Sequence, residues 1–460
     1  MYFLYSLTLT LVFFALLPYF AYQVLISKKY LRNLSERLGN LPAELSLDPR
    51  PAIWVHAVSV GEAIAAIPLL DALRPLYPQY RIIVSTTTET GQAVARSRLL
   101  SADGYCYFPF DWRRSTSRTM DALRPRLVVL MESELWPNFL SLCAERSVPV
   151  LVANGRISDR SFRRARSLRF LASVLYQQVS HFAMQGEADA KRARALGAPA
   201  DRVSVCGNLK YDSKPAAQRM PDSPVEALVR FLSSSQAPLV IAGSTAEGEE
   251  QLVIAAFKKV QQVAGLEHAR LLIAPRHPER FEKVAQLLDG SGLVYLRRSS
   301  ISTPAAEGGM SHEAQTAVPA ASTGNASFDA ILLDSIGELT GLYRVASVVI
   351  IGGSLVPRGG HNILEPAINA RPIVVGHYMS NFRDMTETFR KREAVIQLPD
   401  LPDETLVVEL ARTLQKILVD PEYASRLGRN ARDAVEANRG ATPRIMSIIE
   451  RLLDPTETRT

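Results

Sequence analysis

In the stretch "HAVSVGEA", residues 56–63, the carboxylate of Glu62 directly follows a glycine, between an apolar run and a helix-forming one. A carboxylate so placed serves one of two ends. As a general base it takes a proton from an acceptor hydroxyl, which requires that it be mostly ionised at working pH. As an ordinary first-turn acid it only complements the positive end of a helix. A helix N-terminus lowers its pKa and burial in a cleft raises it, so position alone leaves both roles open. Glu132 and Glu134 in "MESELWPN" stand one residue apart at an expected strand end, which points both side chains to one face. No second acidic pair or histidine stands close to them, so a metal site is not expected, and Trp136 reads as a cleft wall.

The richest stretch is "GGSLVPRGGHNILEPA", residues 352–367. Gly352, Gly353, Gly359 and Gly360 let the backbone approach a ligand, and a helix opening near His361 and Asn362 offers N–H groups to a phosphate. It reads as a phosphate loop. The absence of GK[ST] and of GxGxxG argues against a P-loop ATPase and a dinucleotide dehydrogenase. Glu365, in the first turn of that helix, suits two hydrogen bonds from a ribose diol or, equally, plain dipole complementation. Arg276 and His277 follow the strand-like "RLLIA" and suit a nucleotide phosphate or base, or a local ion pair.

These residues need a scaffold that brings strand ends together. After residue 50 the apolar runs "AIWVHAVS", "RIIVST", "YCYFPF", "RLVVLME", "VPVLVA", "HFAMQ" and "VSVCGN" alternate with helical stretches. That alternation predicts a doubly wound parallel sheet. The Pro- and Ser-rich residues 213–237 break it and read as a linker. A second series follows: "PLVIAGS", "RLLIAP", "LVYLRR", "AILLD", "SVVIIGG", "PIVVGH" and "AVIQLP". The expected organisation is an anchor over 1–27, a Rossmann-like domain over 28–212, the linker, a second Rossmann-like domain over 238–430 and a helical segment over 431–460. Within the second domain, residues 299–328 lack periodicity and read as a disordered insertion. In such domains ligands collect where strands end and helices begin, and every unusual stretch above lies at such a junction.

A chain of 460 residues with 47% apolar content is long enough for two cores. The formal charge of +7 is unevenly placed. Residues 2–27 carry no charge, while Lys28, Lys29, Arg32, Arg37 and Arg50 follow them. The length suits a membrane-crossing helix and the basic flank places the remainder on the cytoplasmic side. In "RISDRSFRRARSLRF", residues 156–170, arginines interleave with Phe162, Leu168 and Phe170, a pattern suited to anionic headgroups or to a solvated helix face. No nucleic-acid motif accompanies them. Cys106, Cys143 and Cys206 form no CxxC or Cys/His cluster, so a disulfide framework and a structural zinc are not expected.

Taken together, "VHAVSVGEAIAAIPLL", "MESELWPN", "GNLKYD", "GSTAEGEE", "APRHPERF" and "GGSLVPRGGHNILEPA" resemble the 3-deoxy-D-manno-octulosonic acid (Kdo) transferases of lipopolysaccharide synthesis. The resemblance covers nearly the whole chain, in order. It implies an α/β fold of GT-B type, an N-terminal acceptor domain and a C-terminal CMP-Kdo domain facing a cleft, and an N-terminal membrane anchor at the inner membrane. It also implies inverting transfer to lipid IVA without metal or cofactor. Glu62 then stands where the family has its general base, with Glu132 and Lys210 at its transition-state positions. Pro275, Arg276, Ile336, Gly337, Glu338, Leu339, Asn362, Ile363, Leu364 and Glu365 stand at its CMP-binding positions. The competing readings are a UDP-sugar transferase or epimerase of the same fold, and a non-catalytic membrane scaffold.

Overall fold

The computed structural model describes residues 2, 5–15, 33–132, 134–213, 224–301 and 328–454. The chain divides into two units, one made of Met1–Ser213 with Asn438–Thr460, the other of Lys214–Ala437.

In the first unit both faces of the sheet are covered, so its strands are continuous apolar runs rather than alternating ones. The seven strands are β1 (Ala52–His56), β2 (Arg81–Thr86), β3 (Gly104–Tyr107), β4 (Pro125–Met131), β5 (Val150–Gly155), β6 (His181–Met184) and β7 (Val203–Val205). They lie parallel in the order β3-β2-β1-β4-β5-β6-β7. Period-two alternation divides β1 between two cores. Trp54 joins Phe108 and Phe139 on one face, while Ile53 and Val55 join Leu69, Leu70 and Leu73 of the Val60–Leu76 helix on the other. The strand order reverses between β1 and β4.

The second unit repeats the plan. Its strands are β8 (Leu239–Thr245), β9 (Arg270–Pro275), β10 (Tyr295–Arg297), β11 (Ala330–Leu332), β12 (Val348–Ile351), β13 (Ile373–Val375) and β14 (Ile396–Gln397). They are parallel in the order β10-β11-β9-β8-β12-β13-β14, and this order reverses between β8 and β12. Both expected series of strands are present, in two α/β units.

Two boundaries differ from expectation. The stretch 431–460 is not one segment: the Pro421–Glu436 helix belongs to the second unit and the Ala441–Leu453 helix to the first. Ile445, Ile448 and Ile449 of the latter are buried beside Leu69, Leu70 and Leu209, each side chain contributing about 1.5–3 kcal/mol. Asp212 ties the helix down by accepting from Gly440 N at 2.7 Å and Thr442 N at 2.5 Å. The expected linker contains the Pro224–Ser233 helix, with Leu228, Val229 and Leu232 buried and Glu226 paired to Arg344. Residues 214–223 of it lie outside the described residues. So does most of the expected insertion, residues 302–327, although Phe328 at its end stacks on Phe231 at 5.7 Å.

Much of the expected anchor, residues 16–27, also lies outside the described residues. Among those described, no helix is long and apolar enough to cross a membrane. The helical residues 5–15 instead lie on the first unit: Ser6 bonds Asn138, and the Phe13 ring meets Trp112 edge-on at 4.8 Å. Leu7, Leu11, Val12 and Phe14 point outward.

Candidate active site

In doubly wound sheets ligands bind at the carboxyl ends of the strands where the order reverses. In the first unit that point lies between β1 and β4, and Glu62 and Glu132 follow these two strands. Ser59 caps the Val60–Leu76 helix, its Oγ accepting from Glu62 N at 3.4 Å. The Ser59 hydroxyl donates to Glu62 Oε1 at 3.0 Å and Val58 N donates to Oε2 at 2.8 Å. Glu62 is therefore a helix-start residue in the full sense, a variant of the capping box in which the carboxylate reaches one residue beyond the cap. It is also 8% exposed. Burial pushes its carboxyl up to about 7, with Glu132 and Glu134 adding to the rise and the Val58 and Ser59 hydrogen bonds opposing it. Burial outweighs the helix end, and a carboxyl near 7 is poised to exchange a proton at neutral pH.

Glu132 holds a left-handed backbone, φ 60°, at the end of β4, with its N–H on Ala153 O at 2.9 Å. Strain of this kind costs on the order of 1–3 kcal/mol and gathers at functional sites. Glu134 is raised as well, first by burial and then by Glu132. Three carboxylates thus share one electrostatic neighbourhood.

Lys210 lies in the Leu209–Asp212 turn after β7, which packs against the Glu62 helix. Side chains from other strand ends set that turn. Asn154, itself at φ 55°, accepts from Leu209 N at 2.9 Å, and Asn208 accepts from Lys210 N at 3.0 Å. Gln185 joins them, donating to Asn154 O at 3.0 Å and accepting from Asn208 Nδ2 at 3.1 Å. Sequence reasoning passed over Asn154 and Gln185. It passed over Ser59 too, although S-x-x-E before an apolar run is a readable capping signal.

In the second unit the reversal lies between β8 and β12, and the glycine-rich loop follows β12. At Gly352 an added Cβ would lie 2.1 Å from Ser244 O, so only glycine lets the loop pass the end of β8. The expected phosphate cradle differs in its use. Gly353 N and Leu355 N already donate to the carboxylate of Glu249, at 2.6 and 2.8 Å. The anion held by this part of the loop is the protein's own. The helix expected to present its N-terminus is also short, Leu364–Ile368, with Leu364 N donating to Asn362 Oδ1 at 3.1 Å.

The expected CMP-binding residues fall into two groups. Asn362 Nδ2 and Thr340 Oγ1 donate to the two oxygens of Glu365 at 3.2 and 2.8 Å, which orients the carboxylate and leaves lone pairs on each oxygen. Arg276 is exposed just past Pro275, which ends β9, and its N–H bonds Thr245 O at 3.0 Å. His361 is pushed down to about 4, by burial first and then by Arg276 and His277, so it is neutral at pH 7. Ile363 and Leu364 are buried and offer a ligand only backbone. The second group is Ile336, Gly337, Glu338 and Leu339. Ile336 is 74% exposed at a loop tip. Glu338 is instead taken up internally, accepting from Arg298 Nε at 3.1 Å and Nη2 at 3.0 Å and from Ser335. Its carboxylate secures the loop.

The family model described as 3-deoxy-D-manno-octulosonic-acid transferase matches residues 32–213. The 3-deoxy-D-manno-octulosonic acid transferase of Haemophilus influenzae is 31% identical over 430 residues, covering 93% of this chain and 93% of its own. That of Bordetella pertussis is 30% identical over 421 residues, covering 90% of each. Among solved structures, UDP-GlcNAc 2-epimerase from Neisseria meningitidis aligns with a TM-score of 0.53 and 12% identity, over 87% of this chain and 99% of its own. That likeness shows the fold alone.

Proposed function

The chain belongs to the 3-deoxy-D-manno-octulosonic acid transferases, and from that premise we propose the roles its residues take in moving Kdo from CMP-Kdo to lipid IVA. It is a glycosyltransferase of lipopolysaccharide core biosynthesis. Glu62 acts as general base, taking the proton of the acceptor sugar hydroxyl as that oxygen attacks the anomeric carbon of Kdo. The bond to CMP breaks on the opposite side, which inverts the centre and leaves charge on the CMP phosphate. Lys210 and Glu132 act on the transition state. Arg276 meets the departing phosphate, and Glu365, oriented by Asn362 and Thr340, receives the ribose diol. Fixed donors and cations stabilise such charge without a metal.

The observation that carries this reading is Glu62, buried at the strand-order reversal with a carboxyl near 7. Incubation of purified protein with lipid IVA and CMP-Kdo should yield a Kdo-bearing lipid by mass, and the yield should survive EDTA. Loss restored by Mg²⁺ would reassign Glu132 and Glu134 as ligands. Calorimetric preference for UDP over CMP would favour the UDP-sugar alternative, and binding of neither would favour a scaffold.

We place the protein at the cytoplasmic face of the inner membrane, tied there by its N-terminal segment. Supporting this are the outward Leu7, Leu11, Val12 and Phe14, and the arginine-rich Asp159–Ser167 helix next to Leu168 and Phe170, 60% and 81% exposed. Removing residues 1–27 should release most of the protein from vesicles of anionic lipid in flotation. Unchanged flotation would shift the weight to the arginine-rich helix.

A further inference from the structure

Glu249 opens the Glu249–Val260 helix after β8 and is 0% exposed. Its Oε2 accepts from Ala246 N at 2.7 Å and from Gly353 N at 2.6 Å, and its Oε1 accepts from Leu355 N at 2.8 Å. A carboxylate stripped of water is stable only when such charge-assisted bonds replace its hydration. Here the replacement comes from two places. Ala246 belongs to the turn after β8, while Gly353 and Leu355 belong to the loop after β12, the neighbouring strand at the reversal. Glu250, next in sequence, takes other partners, Thr245 and Arg280. The loop also closes on itself through Gly360 N to Gly353 O at 2.7 Å. The stretch carrying Arg358, His361 and Asn362 is therefore hung from the segment that Glu249 grips.

We propose that Glu249 is a positioning residue for the sugar-nucleotide donor, an internal anion around which the donor loop is wound, setting donor affinity without touching the donor. The proposal rests on the reading that this loop takes CMP-Kdo. Removing the carboxylate frees two loop amides and slackens the path to Asn362 and Glu365, whereas the hydrogen bonds that set Glu62 and the Lys210 turn come from the first unit's own residues.

The test uses the full chain, with CMP titrated by calorimetry and both Michaelis constants measured. Glu249→Gln turns an N–H pair towards amides that themselves donate. One unsatisfied buried group of this kind corresponds to roughly a 5- to 100-fold loss. CMP affinity should weaken and KM for CMP-Kdo should rise by that factor, with KM for the lipid acceptor unchanged. Glu249→Asp keeps the charge one methylene short; it should show a smaller shift in the same donor-only pattern, and it serves if the Gln variant does not fold. CMP affinity and donor KM within about twofold of wild type in a folded variant would overturn the role, as would an equal rise in both Michaelis constants, the mark of a merely structural residue. Wild-type protein that fails to bind CMP would overturn the donor-loop reading itself, and the positioning role with it.

Discussion

Two helices of this chain begin alike and end in different service. Val60–Leu76 follows the first strand of its unit through "SVGEA", and Glu249–Val260 follows the first strand of the other through "AEGEE". Each buries a glutamate in its opening turn beside the strand-order reversal, and burial raises both carboxyls. What separates them is the count of fixed donors. Three backbone N–H groups converge on Glu249, whereas Glu62 receives one N–H and one hydroxyl, a single partner on each oxygen. The first carboxylate is spoken for. The second has lone pairs left over, so the same local sequence yields a fully braced carboxylate in one unit and an open one in the other.

The sharpest break is Glu62→Gln. The amide keeps the size of the side chain but accepts no proton, so turnover should fall by about 10²- to 10⁴-fold, while CMP affinity stays at the wild-type value. Near-normal turnover would make Glu62 only the helix-start residue that its hydrogen bonds also describe. In wild type, the acid limb of kcat/KM against pH should have its midpoint near 7, where burial places the Glu62 carboxyl.

The same substitution should stabilise the protein in alkali. With its carboxyl raised from 4.5 to about 7, Glu62 contributes stability that is present below 4.5 and lost as pH climbs through 7. At ~1.4 kcal/mol per unit, ionised Glu62 costs the folded state on the order of 3 kcal/mol at pH 8. Urea titrations of Glu62→Gln and wild type should diverge in the variant's favour from pH 5 to pH 8. Curves that stay parallel would mean that Glu62 ionises as freely folded as unfolded. Next in size is the donor-only loss expected of Glu249→Gln, which no pH between 6 and 8 should restore. Smallest is Ser59→Ala. Loss of the cap should cost about 1 kcal/mol in urea, and loss of the hydroxyl on Oε1 should move the acid limb upward, since that hydrogen bond opposes the rise.

Strands were legible because burial on both faces writes each as an unbroken apolar run. Glu62 was legible at its helix start, but without its cap, Ser59. What the loop after β12 does was not. Its glycines announce close backbone approach but not to what, and the answer, Glu249, stands 104 residues before Gly353. Glu338 shows the same limit: the carboxylate is plain in sequence, while Arg298, which occupies it, lies 40 residues away. Lys210 could be picked out by motif alone, because its placement depends on Asn154 and Gln185 at the ends of other strands. Helical character was legible over 431–460, but not its division between the end of Pro421–Glu436 and Ala441–Leu453. It carries no record of which core each one joins.

The return of the chain to its first unit governs the order in which the protein can be completed. Residues 438–454 are translated after all of the second unit, which is one uninterrupted stretch. Domains generally fold as units, and the first unit has all its residues only after the whole of the second has been made. That helix buries Ile445 and Ile449 beside Leu209, and the chain leading into it is held by Asp212 at the end of the Lys210 turn. A chain ending at residue 437 would therefore carry all of the second unit and a first unit with apolar surface open around that turn.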